Sequence, residues 1–452
     1  MNKNFLLNSD ISEKLYEGVS ALPIVDYHNH LSVEDIETDK RFFDIYDLWI
    51  KPDPYKHRAM RMCGVEEKFI TGDMPQKEKF IKWCTILPEL IGNPLYTWSL
   101  MELHTIFQIE EIPDGDNAQQ IYLSCNEYLK ENIVSVKTLL DQFNVEHACP
   151  CTSLVDNVSF FADNKRFSPS LRGDDIVNIT ADFVKKLGKI TGVYIDGLKT
   201  FKDAVSKRLD EFEKCGCVFA DHALDNGFLF FEDDAKNGLR FELMLENKLE
   251  NDEQNRLSSY ILEFLAKEYA RRGWVMQLHI GAQRYTSTRL RNIAGAQGGF
   301  AGIGNSVDIK ALAGFLDAVD LDEYGLPKTV LFTLNPADNA LISVLSGSYS
   351  KDGVKGLITQ GPAWWWCDHK SGIVDMLEDT ASFSVLANFV GMTTDSRSFL
   401  SFVRHEYFRR IVCNWIGEKI KNGEYICSEK QMQELLTKLC YKNARETFYD
   451  KF

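Results

Sequence analysis

His28 and His30 close the stretch Ile24-Val25-Asp26-Tyr27-His28-Asn29-His30, with one residue between them. In an extended strand, side chains at i and i+2 share a face. The two imidazoles therefore project together, with Asp26 behind them. Two converging imidazoles are half of a mononuclear metal site. Only 9 histidines occur in 452 residues, so any further ligands must come from distant parts of the chain, each at the end of its own strand.

Two such residues stand out. The run Trp274-Val275-Met276-Gln277-Leu278-His279-Ile280-Gly281 ends in a histidine, and Gly391-Met392-Thr393-Thr394-Asp395-Ser396-Arg397 ends in an aspartate and an arginine. Alone, His279 reads as a core histidine and Asp395 as a helix cap for a segment starting near Ser398. Together, His28, His30, His279 and Asp395 form a three-histidine, one-carboxylate set suited to one divalent ion, with zinc the expected one. No lysine stands where a second, bridged metal would need it. Arg172, Arg284, Arg397 and Arg404 follow strand ends, and a guanidinium clamps carboxylate or phosphate with two prongs. Metal plus arginines describe a site for a small polyhydroxylated acid. Trp364-Trp365-Trp366 suits a stacking wall for a sugar or plain packing equally. His222 is either a substrate contact or a partner of Asp221.

Positioning these residues requires a repeating scaffold. Residues 9–20 predict a polar helix before the first strand. Residues 31–143 show helical spacing of apolar residues and almost no strand signal, too long for a loop and so a helical insertion. Apolar runs at 144–151, 166–171, 216–220, 275–280, 329–334, 356–360 and 389–393 then alternate with amphipathic helices at 180–187, 200–214, 255–271, 309–319, 370–386 and 401–416. With the opening stretch this gives eight strands and predicts an α/β fold, a (β/α)8 TIM-type barrel. The organisation expected is residues 1–30 as N-terminal helix and first barrel strand, 31–143 as the insertion, and 144–452 as the rest of one catalytic domain. In such barrels the chemistry sits at the C-terminal rim, where the residues above fall.

Composition narrows the classes. Apolar content of 44% and charged content of 26% are ordinary for a globular chain. A formal charge of -15 excludes a basic nucleic-acid-binding face. No apolar run is long enough to span a bilayer, and the N-terminus shows no signal-peptide pattern. The 11 cysteines, scattered and odd in number, predict a reducing, cytoplasmic setting. Cys149-Pro150-Cys151 and Cys215-Gly216-Cys217 lack the two-residue gap of zinc or redox motifs and are taken as strand packing. A homo-oligomer is left open.

The chain resembles the uronate isomerases, an isomerase branch of the amidohydrolase superfamily, nearly end to end. The resemblance is carried by Asp26-Tyr27-His28-Asn29-His30-Leu31, Tyr55-Lys56-His57-Arg58, Ile70-Thr71-Gly72-Asp73, Met276-Gln277-Leu278-His279-Ile280-Gly281, Leu334-Asn335-Pro336-Ala337-Asp338 and the block from Phe389 through Arg410. It implies interconversion of D-glucuronate with D-fructuronate and of D-galacturonate with D-tagaturonate, through an enediol. By position it implies His28, His30 and Asp395 as metal ligands with His279 a fourth, and Tyr55, Arg172 and Arg397 as active-site residues. On that basis Tyr55, its pKa lowered by a nearby arginine, moves the carbon-bound proton. Asp395 shuttles the hydroxyl proton, Arg397 stabilises the enediolate and Arg172 holds the C6 carboxylate.

The sequence departs from the family pattern in places. Pro54 stands where a histidine usually precedes the tyrosine, so that residue's contribution is either lost, at a cost to turnover, or replaced by His57. The second strand ends Cys151-Thr152-Ser153-Leu154 in place of Thr-Thr-Asp-Asp, and of the usual Pro-Thr-Phe-Arg the third keeps only Arg172 clearly. These rim changes point to altered substrate preference more than to lost chemistry. A metal-dependent hydrolase or deaminase of the same superfamily is the main rival, but no glutamate follows His279 where a deaminase needs it. A non-catalytic sugar-acid binding protein would leave Tyr55, Asp395 and Arg397 without a task.

Overall fold

The structure, a computed structural model, describes residues 3–224 and 229–449. Nine strands follow in chain order: β1 (Ile24–Asn29), β2 (Val145–Ser153), β3 (Ser170–Arg172), β4 (Phe219–Leu224), β5 (Val275–Ile280), β6 (Ala282–Gln283), β7 (Gly302–Ile303), β8 (Lys328–Thr333) and β9 (Ile358–Gln360). Seven of them make one sheet in the order β1-β2-β3-β4-β5-β8-β9, every pair parallel. β6 and β7 form a separate antiparallel ribbon. Parallel neighbours need crossover connections, and helices supply them. Their buried faces share the main apolar core with the outward face of the sheet, as at Met276, Leu278 and Ile280 of β5, while Tyr27, Phe219, Val275, Val330 and Phe332 belong to a second core inside it. This is the predicted α/β, TIM-like fold.

The helices between the strands fall where periodicity places them. The predicted 255–271 is observed as Asn251–Arg272, stopped by Gly273 at φ +65, where the left-handed conformation favours glycine. Between β1 and β2 stand the helices Val33–Glu37, Ile45–Trp49, Pro54–Met62, Gln76–Ile86, Pro94–Phe107, Ala118–Glu131 and Val136–Gln142. Their side chains join the same core as the barrel's.

The eighth predicted strand needs correction. Residues 389–395 adopt no strand. They lie along β1 through Asp395 N–H to His28 O (3.1 Å), and His30 N–H to Ser396 O (2.9 Å) continues the contact. Side chains close the rest of the seam. The buried Asp26 carboxylate accepts from Thr393 Oγ1 (2.9 Å), Thr394 N and Thr394 Oγ1 (2.7 Å). Gly391, at φ +114 with a Cβ position 3.1 Å from Leu439 O, breaks the extended run. A short stave fastened by side chains replaces a ladder.

Outside the rim cluster, His147 and His222 are among the histidines buried as neutral rings. Burial lowers His147 and His222 to about 4. As pH falls below the ordinary 6.5, the unfolded chain takes up protons these folded rings refuse, so stability is lost between about 6.5 and 4. The urea midpoint should fall from pH 7 to pH 5, by roughly 2 kcal/mol per ring. The buried acids Asp221 and Asp368, raised mainly by burial, act in the opposite direction and reduce the total. A midpoint equal or higher at pH 5 would contradict this assignment.

Candidate active site

A cavity of about 580 Å³ opens at the C-terminal ends of the strands, a size that suits a small ligand. His28, His30, His279 and Asp395 all reach its wall. His28 Nε2 lies 3.2 Å and His30 Nε2 3.0 Å from the same atom, Asp395 Oδ1. The other oxygen, Oδ2, accepts from Trp364 Nε1 (2.7 Å) and Trp365 Nε1 (2.8 Å). Both Asp395 and Trp365 have φ +46, the left-handed conformation that is costly without glycine and persists where the surroundings impose it.

Electrostatics differ sharply among these groups. Burial alone would raise Asp395, but hydrogen bonds to His28 and His30 hold it well below the usual carboxylate range. Burial lowers His30 to about 4, against its hydrogen bond to Asp395. Burial and the neighbouring His28 lower His279 strongly, so its ring is neutral and able to ligate. Among the described residues neither of its nitrogens has a hydrogen-bond partner, although the residue is 2% exposed. Such orphaned nitrogens are rare in a packed interior.

The donors fit a divalent cation. Ligating atoms of His28, His30 and Cys151 lie within 4.8 Å of one another, as do those of His28, Asp221 and His279. Asp395 Oδ1, facing both His28 and His30, adds a hard oxygen. Neutral imidazoles with a carboxylate are the ligand chemistry of zinc and similar ions.

Tyr55 is set in place by an unusual foundation. Asp53 caps the helix Pro54–Met62, its Oδ1 accepting from Tyr55 N (2.9 Å) and Lys56 N (3.2 Å). Lys56 Nζ bonds Asp53 Oδ2 (2.8 Å) and Glu102 Oε2 (3.2 Å), and Trp49 Nε1 also donates to Glu102. All three charged groups are buried. Lys56→Met should cost about 3–5 kcal/mol, because two buried carboxylates lose their cation, less whatever Glu102, raised by burial, recovers by taking up a proton. Urea unfolding checks this, and a loss under 1 kcal/mol would sink it. Above, Tyr55 packs edge-on against Trp366 with centroids 5.3 Å apart. Burial and the Asp395 charge push its pKa well above 10, with only partial opposition from Arg404. The expected lowering by an arginine is overturned.

The arginines divide. Arg172, Arg284 and Arg397 line the cavity. Arg172 is already paired with Asp174 Oδ2 (2.7 Å) and Asp221 Oδ2 (2.9 Å). Arg284 lies over Trp365 at 5.0 Å, and Arg397 Nη2 donates to Gln297 Oε1 (2.7 Å). Arg404 is not at the wall. It is buried against Trp98, bonded to Asp368 and to Thr394 O, and holds the rim segment from beneath.

Two predicted histidine contacts also fail. His222 points away from the cavity, 1% exposed, with Nε2 3.0 Å from Tyr269 Oη. Its ring fills the space where a Cβ on Gly173 would stand. His57 is turned from the cavity and does not replace the histidine that Pro54 displaces. It lies among Asp53, Arg61 and Glu67, lowered by burial to about 4. Pro54 itself reaches the cavity at the first turn of its helix, a position where proline costs no hydrogen bond.

The sequence pattern missed Cys151, Asp174 and Asp221. Cys151 is no packing residue. It lines the cavity, 3.6 Å from His28 Nδ1. Its signal was its place near the end of the second strand, two residues before Ser153, which is level with Arg172 and Asp221 on the next two.

A parallel α/β barrel with a rim of histidines, a carboxylate and arginines defines a metal-capable enzyme of the amidohydrolase type. The family model described as glucuronate isomerase matches residues 1–448. The uronate isomerase of Caldicellulosiruptor saccharolyticus is 39% identical over 463 residues, covering 99% of each chain. That of Oceanobacillus iheyensis is 38% identical, covering 99% of this chain and 98% of its own. The crystal structure of the Thermotoga maritima uronate isomerase superposes with a TM-score of 0.92 at 29% identity, covering 99% of both chains. The chain belongs to the uronate isomerase family.

Proposed function

We propose that the protein interconverts D-glucuronate with D-fructuronate, and D-galacturonate with D-tagaturonate, by aldose–ketose isomerisation through an enediol. The observation that carries this reading is the placement of Asp395, bonded to His28 and His30 at one oxygen, in a cavity whose wall also carries Tyr55, Arg172 and Arg397. His28, His30 and Asp395, with His279 beside them, would hold one divalent ion, zinc by its donor set. When bound, it supplies Lewis-acid polarisation of a carbonyl or hydroxyl oxygen.

The chain's own residues divide the remaining work. Arg172 offers charge to the C6 carboxylate from a position fixed by Asp174 and Asp221. Arg397 faces the reacting end and stabilises the negative charge of the enediolate. Asp395, anionic across the physiological range, receives and returns the hydroxyl proton at Oδ1. Burial and the Asp395 charge keep the Tyr55 phenol protonated, so its exchange with the carbon-bound proton requires the phenol to give up its own proton first. Opposed shifts in neighbouring groups are what acid–base pairing needs. Trp364 and Trp365 orient Asp395 through Oδ2 and wall off water.

Purified protein supplied with a divalent metal should form ketose from glucuronate and galacturonate, and exchange the C2 hydrogen with solvent. No turnover and no exchange with either acid would end the isomerase reading. The chain's setting is cytoplasmic on the same reading. Among the described residues no helix is long and apolar enough to cross a membrane.

A further inference from the structure

We propose that Gln297 is a positioning residue for Arg397, holding its guanidinium at the cavity wall through a neutral acceptor that leaves the positive charge uncancelled. This rests on the reading of Arg397 as the group that stabilises the enediolate, and adds the residue that keeps that charge in place.

The arginines around the site are held in different ways. Arg172 meets the carboxylates of Asp174 and Asp221 at 2.7 and 2.9 Å, and Arg404 meets that of Asp368. Arg397 Nη2 donates instead to Gln297 Oε1 at 2.7 Å, and both residues line the cavity. Among the described residues no carboxylate pairs with Arg397. A guanidinium has donors and no acceptor, so the amide must turn its oxygen to it. An ion pair fixes a guanidinium but offsets its charge, whereas an amide oxygen fixes it and offsets none. For a group that must meet negative charge as it develops, the second arrangement is the useful one.

Gln297 is exposed, so water competes for this bond, and its backbone is what makes the contact dependable. The four carbonyls that follow are each engaged. Gly298 O accepts from Arg61, Gly299 O and Ala301 O from Arg58 Nη1 at 3.2 and 3.0 Å, and Phe300 O from Thr286 Oγ1 at 2.7 Å. Arg61 is fixed in turn by Glu67, whose two oxygens accept from Nε (2.8 Å) and Nη2 (2.7 Å). The segment presents Gln297 from a tethered backbone, so only side-chain torsions remain to be ordered when the amide meets Arg397. Arg58 and Arg61 belong to the helix Pro54–Met62 that carries Tyr55. One helix therefore sets the phenol and, through this segment, the guanidinium of Arg397.

Steady-state kinetics on the zinc-loaded, full-length protein test this with both uronates. Gln297→Ala should lower kcat roughly 10-fold and Gln297→Glu roughly 10²-fold, because the first loses placement and the second loses charge. KM should move much less than kcat in both, since the substrate itself is not what Gln297 touches. A kcat equal to the wild type's in either variant overturns the proposal. In an Arg397→Ala background, Gln297→Ala should cause no further loss. A further loss of the same size would make Gln297 a direct substrate contact and overturn the positioning role. Crystal structures without substrate give a reading independent of turnover. Arg397 should hold one rotamer in the wild type and in Gln297→Glu, and spread over several in Gln297→Ala. A single unchanged rotamer in Gln297→Ala overturns the proposal. A wild type that turns over neither acid counts against the isomerase reading, while the rotamer comparison still decides whether Gln297 holds Arg397.

Discussion

Asp395→Asn should reduce kcat for both uronates by roughly 10²–10⁴-fold, the usual contribution of a positioned acid–base group. The amide keeps the size of the side chain, and its oxygen can still accept from both indoles. It removes the charge that His28 and His30 hold and the lone pair that takes a proton. Because Oδ2 is occupied by Trp364 and Trp365, the oxygen lost to chemistry is Oδ1. Metal content should be measured alongside, since a variant that is merely empty fails for another reason. Near-normal kcat at full metal occupancy would remove Asp395 from the proton path. KM should change much less than kcat, because the loss is felt in the transition state.

Arg172→Ala should have two large effects. The first is a rise in KM, because the carboxylate clamp is gone. The second is a loss of stability of about 3–5 kcal/mol, the usual result of stripping the partner from a buried charge. Asp221 is fully buried, with the Cys151 thiol on its other oxygen and His279 Nδ1 3.9 Å away. Arg172→Lys should recover part of the stability and little of the binding, since an ammonium lacks the two-pronged geometry. Steady-state kinetics and urea unfolding on both variants separate the effects. Unchanged stability in Arg172→Ala would show that Asp221 is not held by it.

How much of this was legible in sequence depended on direction in space. The strands and their order were legible because a parallel strand buried on both faces is written as a continuous apolar run, as in β5. The metal-capable set was legible because rim positions follow strand ends. Orientation at those ends was not. Asp221 and His222 are adjacent, and alternation along a strand sends one to each side of the sheet. Asp221 turns inward to Cys151 and Arg172, whereas His222 meets Tyr269 on the helix beside it. Nothing in the pair of letters says which. Arg404 begins a helix and is drawn under the rim by the buried Asp368, a partner 36 positions away. The eighth stave failed as a strand because its fastening comes from Asp26, another long-range partner.

The stretch of cavity wall around Gly299 has a further bearing on Tyr55. Arg58 Nη1 donates to Gly299 O (3.2 Å) and Ala301 O (3.0 Å), and Arg61 donates to Gly298 O. Gly299 stands at φ +82, and a Cβ there would lie 2.2 Å from Pro54 O. The loop thus rests bare backbone on the first residue of the helix whose second residue is Tyr55. Mutational tolerance at position 299 is set by that contact and by its left-handed φ, and no substrate atom need touch it. A side chain there would lift the helix start and carry the phenol with it. Sequence freedom in this part of the pocket wall is limited by the placement of Tyr55.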